Sequence, residues 1–244
     1  MTRPKLIFSD FDGTLTLGSE LGPVFFEITS LAHQAKTPFI IVTGRSVQWS
    51  YFTLIHVSCL QYSIAEGGGL WVEKKGPEEL ETHFLVTADE RVKLAEFASA
   101  LTKKFGFALT ADSSGRLTDR ALDLSLFHKN PTLQNEVQSF MKEESINFST
   151  SSVHLNFWVG NISKARAMTE IIKQRFPDVS NDELVYFGDS LNDETVFAHF
   201  PNTIGVSNIS AVWDKLKSHP SLRLMGAENQ GPLGVKAQLA SLLK

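Results

Sequence analysis

Three short runs of mostly apolar residues set the frame of the chain: residues 5–9, 38–42 and 184–187, ending respectively on Asp10, Thr43 and Gly188-Asp189. An unbroken apolar run of this length fits a strand covered on both faces, as in a parallel sheet, and each run is followed by a stretch that reads as helix. The repeated order predicts an α/β fold, a Rossmann-like parallel sheet with crossover helices. The polar residues that close the runs then gather along the carboxyl edge of that sheet, where such folds bind ligands.

About 120 residues separate Thr43 from the helix expected near Ser163, several times the length of a crossover connection, so a second unit is inserted there. Leu94, Phe97, Ala98, Leu101 and Phe105 recur at helical spacing over residues 89–105, and Gly106 supplies a stop. Residues 121–127 alternate Leu122, Leu124 and Leu126 with polar side chains and predict a strand. A second helix follows Pro131, with Leu133, Val137, Phe140 and Met141 on one stripe, and residues 154–159 alternate again. The insert is thus expected to be a small open α/β sandwich at 82–160, between core segments 1–81 and 161–244. A turn at residues 231–235 leads into a closing helix.

Composition narrows the partners. A formal net charge of −4 and no long basic block give no footprint for nucleic acid or an acidic membrane surface, and no run approaches the length of a membrane span. With a single cysteine, Cys59, no disulfide forms within the chain, and the expectation is a cytoplasmic protein acting on small molecules. Three N-x-S/T triplets, at Asn147, Asn161 and Asn208, are discounted as glycosylation signals because no secretion signal accompanies them.

The chemistry concentrates at the strand ends. In Asp10-Phe11-Asp12-Gly13-Thr14, two acids stand two residues apart at the end of a strand, and Gly13 lets the backbone turn away. One carboxylate can attack and the other carry a proton, and their mutual repulsion favours a divalent cation between them. Thr43-Gly44-Arg45 opens another helix and offers a hydroxyl and N–H groups to an anion, with a plain N-cap as the alternative reading. Lys164, just after the N-cap Ser163, puts a cation at a helix N-terminus, where the macrodipole disfavours it unless an anion such as phosphate joins it. The other reading sends Lys164 into water. Gly188-Asp189-Ser190-Leu191-Asn192-Asp193 adds Asp189 as a second metal ligand, and Asp193 as a helix cap or as support for the metal site.

Taken in order, D-x-D-G-T at 10–14, T-G-R at 43–45, Lys164 and G-D-S-x-N-D at 188–193 resemble the haloacid dehalogenase superfamily. The large insert between the second and third motifs resembles the type IIB cap of Cof-like, sucrose-phosphate, trehalose-phosphate and mannosyl-phosphoglycerate phosphatases. The resemblance implies a Mg2+-dependent phosphomonoesterase acting on a small phosphorylated substrate, a sugar phosphate or related polyol. It implies Asp10 as nucleophile and metal ligand, and Asp12 as acid/base with its backbone carbonyl on the metal. Thr43, Gly44, Arg45, Lys164 and Asn192 would surround the phosphoryl group and substrate, and Asp189 and Asp193 would complete the metal site. A phosphomannomutase-like transferase and a silent ligand-binding protein are the competing readings. Two positions depart from the family pattern: Ala165 follows the lysine where glycine is frequent, and Gly67 stands where asparagine is frequent.

Specificity is expected from the insert, which closes over the leaving group. Asp123, Ser125, Arg116, Arg120, His128, Lys129, His154, Asn156 and Trp158 are its polar candidates, each weighed against a solvated sheet face or, for Trp158, simple packing.

Overall fold

A computed structural model describes residues 2–18, 20–128, 130–150 and 154–244. The chain begins β1 (Leu6–Asp10), α1 (Pro23–Gln34), β2 (Phe39–Val42), α2 (Val47–His56) and β3 (Tyr62–Ala65), then the hairpin β4 (Leu70–Lys74) and β5 (Leu80–Phe84). Next come α3 (Ala88–Phe105), β6 (Asp119–Asp123), α4 (Pro131–Glu143), β7 (Asn147–Thr150) and β8 (His154–Trp158). The last part holds α5 (Lys164–Arg175), β9 (Leu184–Gly188), α6 (Glu194–His199), β10 (Thr203–Gly205), β11 (Leu222–Arg223) and α7 (Pro232–Leu242).

The large sheet has eight strands in the order β11-β10-β9-β1-β2-β3-β4-β5. The strands from β11 to β3 run parallel, and the β4–β5 hairpin extends the sheet antiparallel beyond the strands that the apolar runs predict. Side chains alternate across both buried faces. Ile7, Ile41, Val185 and Phe187 meet α1, α2 and α7 through Phe25, Ile28, Leu54, Val235 and Leu239. Leu6, Phe8, Ile40, Val42, Leu184 and Tyr186 meet α5 and α6 through Met168, Ile171, Val196 and Phe197. That double coverage is why the runs are continuously apolar rather than alternating. The register Asp10↔Val42 and Ser9↔Phe187 brings the three polar strand ends level.

The inserted sheet is antiparallel, in the order β6-β8-β7. Leu94, Phe97 and Leu101 of α3 and Val137 and Met141 of α4 bury its apolar face with Leu122, Leu155 and Phe157. α3 stops as its sequence predicts, at Gly106 with φ 72°, and its start is fixed by a Thr87–Glu90 capping box that the sequence reading did not single out. The strand expected over 121–127 is corrected: β6 ends at Asp123, and Leu124–Phe127 form a 3-10 turn. The Asp123 carboxylate accepts from the Ser125 N–H, drawing the chain out of the ladder, while Leu124 and Leu126 still pack on the core of the insert. The expected start of the insert at residue 82 falls inside β5, which is hydrogen-bonded into the large sheet. No helix among the described residues is long and apolar enough to cross a membrane.

Candidate active site

At the end of β1 the chain turns through Gly13, whose φ is +82° and where a Cβ would stand 2.4 Å from Asp189 Oδ2. Only glycine combines that backbone with that proximity. The turn leaves the buried Asp10 carboxylate facing Lys164, which starts α5 and runs inward with 1% of its surface exposed. Lys164 Nζ donates to Asp10 Oδ1 at 2.5 Å, Asp193 Oδ1 at 2.6 Å and Asn192 Oδ1 at 2.9 Å. The water-facing reading of Lys164 is thereby overturned.

Asp193 is the buried hub of the third strand end. One of its oxygens accepts from the Asp189 and Ser190 N–H groups at 2.9 and 3.0 Å, and the other from Lys164 and the Tyr186 hydroxyl. It closes the Ser190 capping box and at the same time stands among the acids of the site. Asp189 accepts from Thr14 Oγ1 at 3.0 Å and from Asn208 Nδ2 at 2.6 Å.

Oxygens of Asp10, Asp189 and Asp193 lie within 4.8 Å of one another. Three carboxylates share one ammonium, with Asp10, Asp193 and Lys164 buried and Asp189 partly so. Burial first, then the neighbouring acids against the pull of Lys164, push Asp10 well above the usual carboxylate range. Burial and then Asp193 raise Asp189 to about 7. For Lys164, burial works downward, but Asp10 and Asp193 outweigh it and hold the ammonium above the ordinary lysine range. A compact set of hard oxygen donors with excess negative charge fits Mg2+.

Asp12 is placed apart from this cluster. Its half-exposed carboxylate takes a fork from Arg45, with Nε at 2.9 and 3.0 Å and Nη2 at 2.6 Å, and Arg45 in turn lies over the rings of Phe11 and Trp49. Thr43 is fully buried, and its Oγ1 accepts from the Arg45 N–H at 3.0 Å, so the hydroxyl closes the turn while standing beside the β1 end. The Gly44 carbonyl accepts from Arg116 Nη1 at 3.0 Å.

Several contributors have little sequence signal. Tyr186 is simply an apolar-strand aromatic, and Asn208 is one of the discounted N-x-S triplets, whereas Thr14 closes the D-x-D-G-T motif without a role having been given to it. Asn208 ties Asp189, the Gly13 carbonyl and the Gly231 N–H together. Among the polar residues of the insert, Arg116 is not a solvated face: it is buried and paired with Asp112 and Asp119 at 2.8 and 2.9 Å. Asn156 donates to Asp119 at 3.2 Å, Asp123 caps its turn, and His128 is exposed. Lys129 lies outside the described residues. Gly67, at φ +66°, would give an added Cβ only ordinary contact with Ile162 at 3.9 Å.

The whole architecture has solved counterparts. A Thermoplasma acidophilum protein, 0175, superposes with a TM-score of 0.76 at 17% identity over 100% of both chains. The sucrose-phosphatase of Synechocystis sp. PCC6803, solved with sucrose and phosphate, gives 0.71 at 16% identity over 99% of this chain and 98% of that one. In sequence, the phosphoglycolate phosphatase of Methanobrevibacter smithii is 26% identical over 208 residues, 82% of this chain and 84% of the relative. A family model described as haloacid dehalogenase-like hydrolase matches residues 83–218, a segment that includes Lys164 and Asp189 to Asp193. That match spans more than half of the 244 residues, and the chain belongs to the haloacid dehalogenase-like hydrolases.

Proposed function

We propose that this hydrolase is a Mg2+-dependent phosphomonoesterase that cleaves a small phosphorylated substrate through an aspartyl-phosphate on Asp10. The observation that carries the reading is the buried contact of Lys164 with Asp10 at a strand end that also gathers Asp189 and Asp193. Asp10 Oδ attacks phosphorus, the bond to the leaving oxygen breaks, and protonated Asp12 gives its proton to that oxygen. Asp12 then takes a proton from water, whose oxygen attacks the phosphorus and releases phosphate and the Asp10 carboxylate. Lys164, Thr43 and Asn192 hold the phosphoryl oxygens, and the Gly44 N–H adds a donor, the Arg45 N–H being spent on Thr43 Oγ1. Arg45, whose fork spans both Asp12 oxygens, gives up one of them while Asp12 carries the proton, and the bond that remains keeps the carboxylate aimed. Asp10, Asp189, the Asp12 carbonyl and, through support, Asp193 would hold Mg2+, which offsets phosphoryl charge when bound.

Sugar phosphates are the leading substrate class, and the name of the archaeal relative sets a phosphorylated carboxylic acid beside them. The test is phosphate release with and without Mg2+ across trehalose, sucrose, glucose, mannose and glycosyl-glycerate phosphates and phosphoglycolate, with Asp10→Asn as control. Selective, Mg2+-dependent release that the control lacks is expected. Isomerised sugar phosphate without free phosphate would favour the mutase reading, and ligand binding without turnover a silent binder.

A further inference from the structure

Glu66 takes no part in that chemistry, yet it is buried at 1% exposure and adopts a left-handed backbone, φ 52°. Such a conformation is strained for a non-glycine residue and persists where the surroundings impose it. Its carboxylate is surrounded by neutral donors from two different parts of the molecule. From the core, the Val47 N–H donates at 3.1 Å, capping α2, whose own N-cap Ser46 makes no side-chain bond. From the insert, the Leu117 N–H donates at 3.0 Å, the Thr118 N–H at 2.6 Å and Thr118 Oγ1 at 2.7 Å.

The same turn reaches two segments of the site, the Thr43-Arg45 turn and the start of α5. The Glu66 N–H donates to the Arg45 carbonyl at 3.0 Å and the Gly67 N–H to the Thr43 carbonyl at 3.1 Å. A Cβ on Gly68 would stand 2.3 Å from the Ser163 carbonyl oxygen, next to Lys164, and one on Gly69 would stand 2.1 Å from Thr118 Oγ1. Arg116 makes the second tie from the insert, onto the Gly44 carbonyl. The Glu66 carboxylate therefore bolts the segment entering β6 to the start of α2, while the Glu66 and Gly67 N–H groups and Arg116 tie the same assembly to the Thr43-Gly44-Arg45 turn.

We propose that Glu66 is a positioning residue that transmits the placement of the insert to the Thr43-Arg45 turn, and through Arg45 to Asp12. This rests on the phosphomonoesterase reading. A shift of the 116–118 segment pulls on Glu66 and hence on the Arg45 backbone, and Arg45 carries the fork that aims Asp12.

Glu66→Gln tests it, because the near-isosteric amide turns an NH2 toward donors and releases one side of the bolt. With Mg2+-loaded enzyme, kcat for an alkyl or sugar phosphate is expected to fall about tenfold or more with KM changed less than about threefold. The fall for p-nitrophenyl phosphate is expected to be several-fold smaller, since that leaving group needs no proton from Asp12. Amide exchange should rise both at 44–47 and at 116–118. Equal losses for the two leaving groups, an unchanged kcat, or faster exchange on one side only would overturn the proposal. Thr118→Val, which removes one donor from the insert side, is read in the same way and decides if Glu66→Gln does not fold. Should the unmodified chain release no phosphate at all, the phosphomonoesterase reading falls, and the paired exchange response alone decides whether the bolt exists.

Discussion

Asp119→Asn is a sharp test of the electrostatics around the insert. Asp119 is buried, and one guanidinium, Arg116, is divided between it and Asp112. Burial, with Arg116 opposing and Glu66 adding to it, raises Asp119 from the ordinary 3.8 to about 7. The folded chain thus keeps a proton that the unfolded chain has already lost. Stability from this group is fully present below about pH 4, declines as pH rises toward 7, and is flat above. At 1.36 kcal/mol per pH unit, the rise from 3.8 to about 7 is worth about 4 kcal/mol as an upper figure. Asparagine resembles the protonated acid in size and has no proton to lose. The variant should therefore match the parent near pH 4 and exceed it by up to about 4 kcal/mol at pH 8. With a urea m value of about 3 kcal/mol/M, the midpoints separate on the order of 1 M at the higher pH. The assay is urea unfolding of both proteins across this range without divalent cation. A difference in stability that stays constant from pH 4 to 8, or one that favours the parent at pH 8, would refute the reasoning.

Three further outcomes are expected of the strand-end cluster. Asp10→Asn is expected to remain folded and to lose detectable phosphate release and covalent phosphate labelling; labelling that survives would remove Asp10 as nucleophile. Lys164→Met strands Asp10 and Asp193 without their ammonium and should cost about 3–5 kcal/mol in unfolding without cation, so an unchanged melting curve would contradict the pairing. Gly13→Ala forces a Cβ to within 2.4 Å of Asp189 Oδ2 at φ +82°; a Mg2+ titration should show half-maximal activity displaced to about tenfold higher concentration, and an unmoved titration would place the cation elsewhere.

The parallel sheet and its reactive edge are legible in the sequence because both rest on local pattern. Continuous apolar runs mark strands buried twice, and the polar residue that ends each run must lie at the carboxyl edge. Asp10, Thr43, Lys164, Asn192, Asp189 and Asp193 all come to that edge. The strand over 121–127 misled because Leu122, Leu124 and Leu126 keep period two through a turn that a single Asp123 hydrogen bond creates. Lys164 stayed ambiguous because its partners are 28 to 154 residues away. Glu66, Arg116 and Asn208 act through backbone groups of distant segments, and no spacing rule links them to those partners. Of the β4–β5 hairpin, β4 is buried but only its first three residues, Leu70 to Val72, are apolar, and β5 is the mixed edge strand, partly exposed along its length, where the apolar signal is weakest.

The loop that carries the first acids is closed by residues made long after it. Asn208 Nδ2 holds the Gly13 carbonyl across 195 positions, the Gly231 N–H holds Asn208, and α7 packs on α1 through Val235, Leu239 and Phe25. During synthesis the start of the chain emerges first and waits for its partners. Nascent chains released before residue 231 therefore lack the clasp on the Asp10–Asp12 loop, and competence arrives in a single late step rather than building up with chain length. A ribosome-stalled series would show that step as an abrupt gain once α7 has emerged, so the loop that carries Asp10 and Asp12 is set by a helix made more than 200 residues later.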